Sequence, residues 1–96
     1  MIVYISIGNS DDTLTQSRWA DYVQDVRDAI SDEADKFHGQ WFSDSASAFQ
    51  NACWCAEIHP LLTNDLKETL RGIAAEYDQD SIAWAVGYTE FLEGVK

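Results

Sequence analysis

The sequence predicts an α+β fold in which two helices lie on one face of a four-stranded antiparallel sheet. Three observations predict it: short segments of alternating side chains, two longer segments with helical periodicity, and their order along the chain. That order is strand, helix, strand, strand, helix, strand, and two such strand–helix–strand units interleave into a single sheet. The expected fold is therefore ferredoxin-like, βαββαβ. The alternative is an α+β arrangement whose last strand is exchanged with a partner.

The first strand and the first helix open this order. Residues 2–7 alternate between Val3, Ile5, Ile7 and the residues between them, and β-branched side chains favour a strand. After a turn rich in Gly, Asn, Ser and Asp, residues 15–34 predict a helix, because apolar side chains recur there every three or four positions. These side chains are Trp19, Tyr22, Val23, Val26 and Ile30. Either Thr13, with Gln16 three residues later, or Thr15 is the expected N-cap.

The next two strands are predicted over residues 36–42 and 51–58, where side chains again alternate. The loop at 43–47 is too long for a two-residue hairpin, and Pro60 ends the second of these strands. The sequence therefore indicates two strands joined by an irregular loop.

A second helix and a last strand complete the chain. The helix begins at Leu62 or Thr63 and extends to residue 77, with Thr63 as its candidate N-cap. Gly72 lies inside it, at a cost of about 1 kcal/mol relative to Ala. The last strand lies within residues 81–92, where Ile82, Trp84 and Val86 alternate with Ala83, Ala85 and Gly87.

The charge of the chain is strongly negative. Six Lys and Arg against 17 Asp and Glu give a net charge of −11 and a pI of about 4.2. We therefore expect no direct binding to nucleic acid or to an anionic membrane surface, because clustered basic side chains bind phosphates. With 96 residues the chain is expected to form a single domain, residues 1–96.

Neither a membrane span nor a secretion signal is expected. The chain contains no apolar run near the ~20 residues of a transmembrane helix, and its start, MIVYISIGNSDD, lacks the basic region of a signal peptide. Two cysteines in such a chain favour a reducing compartment. The predicted location is the cytoplasm, which is the host cell cytoplasm if a phage encodes the chain.

The face of the sheet without helices is the first candidate binding surface. Alternation allows two assignments, and we favour the one that places Cys53, Cys55, Ala83 and Ala85 beneath the helices, since small residues let helices approach a sheet closely. The opposite face then displays Tyr4, Trp54 and Trp84 as partner-binding aromatics, and the pairing of the strands decides whether Trp41 or Phe42 joins them. In the alternative assignment Trp54 and Trp84 are core residues.

An acidic stripe on the first helix is the second candidate. Its members, spaced four, three and four residues apart, are Asp21, Asp25, Asp28 and Asp32. At about 100° per residue they share one side of the helix, away from its apolar side. Carboxylates in such a row resemble the phosphates of a nucleic-acid strand, so a basic nucleic-acid-binding protein is one candidate partner. The alternative is an ordinary solvated helix face.

Metal binding and catalysis have weaker support. Cys53, Cys55, His38 and His59 are residue types that bind zinc, but their spacing matches no common zinc motif. The two cysteines are also at the limit of disulfide geometry, about 6.6–7 Å apart at Cα. The chain lacks the GxSxG, P-loop, GxGxxG and HExxH motifs. We therefore expect no metal, no cofactor and no catalytic residues, and thus a protein that is not an enzyme.

Four segments carry a resemblance to other proteins: MIVYISIGNSDD, LTQSRWADYV, NACWC and QDSIAWAVG. Together they resemble small, uncharacterised acidic proteins of bacteriophages of actinobacteria. The resemblance implies a non-catalytic protein-interaction module, monomeric or homodimeric, that binds a host protein and modulates or inhibits it. The alternative is a dimeric ferredoxin-like protein that binds a small molecule, or acts on it as an enzyme, in a pocket at the sheet face.

Overall fold

The computed structural model of the protein describes residues 1–95 and confirms the predicted α+β fold. The elements follow one another in the predicted order: β1 (Ile2–Gly8), α1 (Gln16–Glu33), β2 (Ala34–Phe42), β3 (Asn51–Ile58), α2 (Thr63–Glu76) and β4 (Ala83–Gly87). One-turn 3-10 helices at Ser10–Asp12 and Pro60–Leu62 precede α1 and α2.

The sheet has the strand order β2-β3-β1-β4, and all neighbouring strands are antiparallel. Each strand–helix–strand unit leaves a gap between its own two strands, and the first strand of the other unit fills it. The fold is therefore ferredoxin-like, with β2 and β4 at the two edges of the sheet. In the middle of the sheet, Ile5 pairs with Trp54 on one side and with Trp84 on the other.

The hydrophobic core lies between one face of the sheet and both helices. The strand register places Val3, Ile5 and Ile7 on the same face as the even-numbered residues of β3. These side chains are buried against Tyr22, Val26 and Ile30 of α1 and against Leu66 and Leu70 of α2. Because apolar residues from both helices join the same cluster, both helices cover this single face, as the sequence predicts.

The favoured assignment of the sheet faces is wrong for Trp54 and Trp84. Trp54 is 0% exposed, and Trp84 is half-buried against the same core. Large and small side chains alternate along the core-facing side of β3: Trp54 lies between Ala52 and Ala56, both of which are buried. The two alanines leave room for the Trp54 indole under the helices. Small residues do allow the helices to pack closely here, but they are Ala52 and Ala56 rather than the cysteines.

A hydrogen bond also fixes the Trp54 ring. Its Nε1 donates to Oε1 of Gln40 on the neighbouring strand β2, at 3.1 Å. A buried indole N–H needs such a partner, and Gln40 supplies it at the edge of the core.

The helix starts differ in how they are capped. Thr15 is the N-cap of α1, because its side chain accepts a hydrogen bond from the Arg18 amide at 3.2 Å, which decides between the two predicted threonines. For α2 the predicted start at Thr63 is confirmed, but the predicted N-cap is wrong, since Thr63 is the first helical residue and Leu62 precedes it at the cap position. The preceding 3-10 helix is capped instead by His59, whose ring accepts from the Leu61 amide at 3.1 Å.

The loop between β1 and α1 is fixed by the buried side chain of Asn9. Its Nδ2 donates to the Leu14 carbonyl at 3.0 Å and to Oε1 of Gln50 at 2.9 Å, and its Oδ1 accepts from the Leu14 amide at 2.9 Å. In this loop Asp11 and Asp12 both adopt positive φ, at 55° and 53°. The Asn9 side chain thus stands in for the regular backbone partners that this turn lacks.

Candidate functional site

The sheet face opposite the helices is uncovered and carries two exposed aromatic rings. We call it the open face; by register it includes Ile2, Tyr4, Ser6, Lys36, Trp41, Cys53, Cys55, Glu57, Ala83 and Ala85. Tyr4 is 43% exposed and Trp41 is 54% exposed. Of the three aromatics predicted for this face, only Tyr4 lies on it. The second exposed ring on this face is Trp41, whereas Trp54 and Trp84 lie on the core side of the sheet.

A shallow concavity with a volume of about 830 Å³ lies on this face. Tyr4 and Trp41 line it together with Tyr88 and Phe91, which follow β4 in the chain. Its polar groups include His38 and Glu57, whose side chains approach to 3.6 Å. The concavity therefore combines aromatic walls with a small number of polar groups, which is the composition of a binding surface.

Of the two cysteines on the open face, Cys55 lines the concavity, and Cys53 lies two residues earlier on the same strand face. Both thiols are free, and Cys55 is buried beside Tyr4, which is its partner in the β1–β3 register. Cys55, above all through a side-chain hydrogen bond, raises the pKa of the Tyr4 hydroxyl. Among residues 1–95 no three His, Cys, Asp or Glu side chains are placed to hold a metal ion. The zinc set considered from the sequence is not assembled, since the His59 ring is engaged as a helix cap.

The predicted acidic stripe is only partly a free surface. Asp21, Asp28 and Asp32 are exposed, but Asp25 is half-buried and accepts a hydrogen bond from the Tyr77 hydroxyl at 2.5 Å. Asp25 lies one turn after Tyr22, whose ring stacks on that of Tyr77 with centroids 4.9 Å apart. The stacked position of the Tyr77 ring places its hydroxyl next to Asp25. The Asp25 carboxylate is therefore part of the contact between α1 and the end of α2.

Two buried tyrosines at this helix contact have strongly raised pKa values. The hydrogen bond to Asp25, followed by burial, raises the pKa of Tyr77 to about 12. Burial alone raises the pKa of Tyr22 to about 12, and its hydroxyl has no hydrogen-bond partner in the part of the chain that the structure describes. The Tyr77 value thus reflects mainly the hydrogen bond between the helices, and the Tyr22 value reflects burial.

A groove between α2 and β4 is a feature that the sequence analysis missed. We call it the α2–β4 groove; it has a volume of about 520 Å³. Its apolar lining includes Leu70, Ala74, Ile82 and Trp84, and Lys67, Arg71 and Asp80 supply charges. The Lys67 ammonium lies 5.1 Å from the centre of the Trp84 ring. The spacing of Lys67 and Arg71, one helical turn apart next to an apolar stripe, was the signal in the sequence.

The chain after β4 is a second missed feature. Residues 88–95, which we call the C-terminal segment, form neither helix nor strand. All of its large apolar side chains are at least 85% exposed; they are Tyr88, Phe91, Leu92 and Val95. The segment also carries Glu90 and Glu93. The C-terminal segment therefore extends from the end of β4 with its apolar and acidic side chains exposed.

Comparison with known proteins adds no assignment. No protein-family model matches the chain, and no curated protein matches it with significant similarity. Within residues 1–95, no helix combines the length and the apolar character needed to cross a membrane.

Proposed function

We propose that the protein is a non-catalytic interaction module that binds a host protein through the open face and so modulates or inhibits it, in the manner of a small phage protein acting in the host cytoplasm. The observation that carries this proposal is the pair of exposed rings, Tyr4 and Trp41, on an uncovered sheet face. The resemblance to small acidic phage proteins supports the same class of function.

The energetics of the open face favour a protein partner. A Tyr or Trp side chain buries about 150–250 Å² when fully covered, and such rings are the usual anchors of protein interfaces. The molecule is only 18 Å thick along its shortest axis, as expected for one sheet and one helix layer. A partner that covers the open face adds the layer that this sheet lacks.

The charges suggest how the partner is attracted and how it is held. Within residues 1–95 the strand residues of the open face carry one basic residue, Lys36, and one acidic residue, Glu57. The helices on the other side carry twice as many carboxylates as basic side chains. A partner with basic surface, such as a nucleic-acid-binding protein, is then attracted by the net charge of −11, to which the exposed Asp21, Asp28 and Asp32 contribute. This attraction raises the rate of encounter without selecting the open face, and apolar contacts on the open face hold the partner.

The test begins with capture of host proteins on the immobilised chain at two salt concentrations. The captured partner is then purified, and its affinity is measured for Trp41→Ala, for Asp21/Asp28/Asp32→Asn, and for a control. The control is Phe49→Ala, which removes another exposed aromatic ring, from the loop between β2 and β3. We expect Trp41→Ala to weaken binding at least 10-fold, and the Asn variant to slow association mainly at low salt.

A contrary result is equally clear. If Trp41→Ala and Phe49→Ala bind alike while the Asn variant loses all binding, the acidic helix face is the docking surface and the proposal for the open face is wrong. Asp25 is left unchanged in these variants because its hydrogen bond to Tyr77 supports the fold.

A second candidate function is small-molecule binding, or chemistry, at the same face in a dimer. It is favoured by the concavity of about 830 Å³, where the His38–Glu57 pair and the Cys55 thiol lie near aromatic walls. This function requires a dimer packed sheet to sheet and a ligand that protects the protein against unfolding. Binding of a host protein by the monomer, with no ligand found by thermal-shift screening, would favour the first proposal.

A further inference from the structure

The β4 edge of the sheet is unprotected. In the part of the chain that the structure describes, β4 is hydrogen-bonded to β1 on one side, and its outer edge has no strand partner. Its five residues, Ala83–Gly87, contain no charge and no proline. Such an edge is ready to pair with another strand, since the backbone groups along it are unpaired.

We propose that two copies of this chain pair antiparallel along β4 and exchange their C-terminal segments, each segment filling the α2–β4 groove of the other copy. The α2–β4 groove shares no residue with the open face, whereas Tyr88 and Phe91 of the segment also line the concavity there. The two proposals are therefore tested separately, one by the oligomeric state of the purified chain and the other by binding of a host protein.

The direction of the strands brings the segment and the groove together. In a two-fold antiparallel pairing centred on Ala85, Gly87 of one copy lies opposite Ala83 of the other. If the same pairing continues beyond β4, Tyr88 of one copy lies opposite Ile82 of the other. Three residues further on, Phe91 of the first copy lies opposite Gln79 of the second. Residues 79–82 line the α2–β4 groove. The extended segment therefore runs directly to the groove of the second copy.

Within one chain the same segment starts at the wrong end. It follows Gly87, which pairs with Ile2, whereas the groove lies at the start of β4, where Ala83 pairs with Ser6. To fill its own groove the segment would have to reverse direction and pass back along the whole of β4. This geometry favours the second copy as the occupant.

The chemistry of the two surfaces is complementary. The groove offers apolar side chains beside Lys67 and Arg71, and the segment offers Phe91 and Leu92 beside Glu90 and Glu93. Two features oppose the attraction: Asp80 lies in the groove, and Glu68 forms an ion pair with Arg71. Lys67, whose ammonium lies over Trp84, forms no such pair among residues 1–95.

The area is sufficient for a stable dimer. Burial of Tyr88 and Phe91 from both copies removes about 600–1,000 Å² of aromatic surface from water. The groove walls, Leu92, Val95 and the paired β4 edges add to this. The sum reaches the ~1,200–2,000 Å² of a standard interface.

The first test uses charge exchange with purified protein alone. One variant is Lys67→Glu/Arg71→Glu, which makes the groove acidic, and the other is Glu90→Lys/Glu93→Lys, which makes the segment basic. Each variant alone opposes like charges and is expected to dissociate into monomers. In a mixture of the two variants, the acidic segment of the first meets the basic groove of the second, and the basic segment of the second meets the acidic groove of the first. The mixture is therefore expected to form a heterodimer, seen by light scattering and native mass spectrometry.

The second test removes apolar contacts. Phe91→Ala/Leu92→Ala is expected to raise the dimer dissociation constant at least about 100-fold, equivalent to ~1.4 kcal/mol from each of the two exchanged segments. The matched control, Phe49→Ala, is expected to leave it unchanged. Circular dichroism checks that every variant retains the native helix and strand content.

Three outcomes overturn the proposal. One is a wild-type chain that stays monomeric at all accessible concentrations in sedimentation. Another is a dimer that survives Phe91→Ala/Leu92→Ala but is lost in Trp41→Ala, which would place the contact on the open face. The third is failure of the two charge variants to form a heterodimer when both are folded.

Discussion

Replacement of Trp54 by alanine should be one of the most damaging single substitutions in this protein. The side chain is 0% exposed and donates from Nε1 to Gln40. Removal of about 200 Å² of buried surface at ~25 cal/mol per Å² costs about 4–5 kcal/mol, which agrees with the ~3–5 kcal/mol typical of buried Trp to Ala changes. A domain of this size has a free energy of unfolding of about 5–14 kcal/mol in total.

The assay is urea unfolding followed by circular dichroism, with thermal unfolding as a second measure. We expect Trp54→Ala to lower Tm by about 16–40 °C, at ~4–8 °C per kcal/mol for a domain of this length. Trp54→Phe keeps most of the volume and should cost about half as much, which guards against a variant too unstable to measure. Trp41→Ala is the matched control, because this ring is 54% exposed, and should change stability by no more than ~0.5 kcal/mol.

The two tryptophans thus form a direct test of which sheet face is covered. Equal losses for Trp41→Ala and Trp54→Ala, or a loss below ~1 kcal/mol for Trp54→Ala, would refute the reasoning. The first result would indicate that the open face is already buried against a second copy. The second would mean that the core lies elsewhere.

Three further predictions concern other parts of the molecule. Gly72→Ala should stabilise the protein by ~0.5–1 kcal/mol in urea unfolding, because Gly72 is helical and a Cβ there meets no atom within 4 Å. Asn9→Ala should destabilise it by about 2–3 kcal/mol in the same assay, since it leaves the buried amide and carbonyl of Leu14 without their partners. The stability contributed by Tyr22 and Tyr77 should be fully present below about pH 10 and be lost as the pH rises to about 12, because their raised pKa values let the folded protein keep protons that the unfolded chain loses. Asp25→Asn should make this alkaline loss smaller but not abolish it, which titration of the tyrosinate absorbance and alkaline unfolding will check.

The order of elements and the apolar side of α1 could be predicted from the sequence because they depend on local periodicity. All four of the side chains buried from α1, namely Trp19, Tyr22, Val26 and Ile30, belong to the predicted set. The β3 strand has the predicted bounds, since Pro60 follows it closely. The order of the strands in the sheet followed from the connections alone.

The sheet faces could not be predicted in the same way. Alternation separates two sets of side chains but does not say which set meets the helices, and here the residues that decide are the alanines on either side of Trp54. The position of Asp25 depends on the side from which α2 approaches α1, which is a tertiary property. The spacing of Lys67 and Arg71 marks one wall of the α2–β4 groove in the sequence, but the groove itself could not be predicted, because its two walls come from elements that meet only in the folded chain.

The unequal distribution of charge between the two layers has a practical consequence. A solid support that bears fixed cations will attract the carboxylates of α1 and α2, and will leave Tyr4 and Trp41 directed at the surrounding liquid. Adsorption on such a support should therefore give a film of uniformly oriented molecules. Chemical coupling through amines will instead attach a fraction of them by Lys36 and hide the aromatic rings.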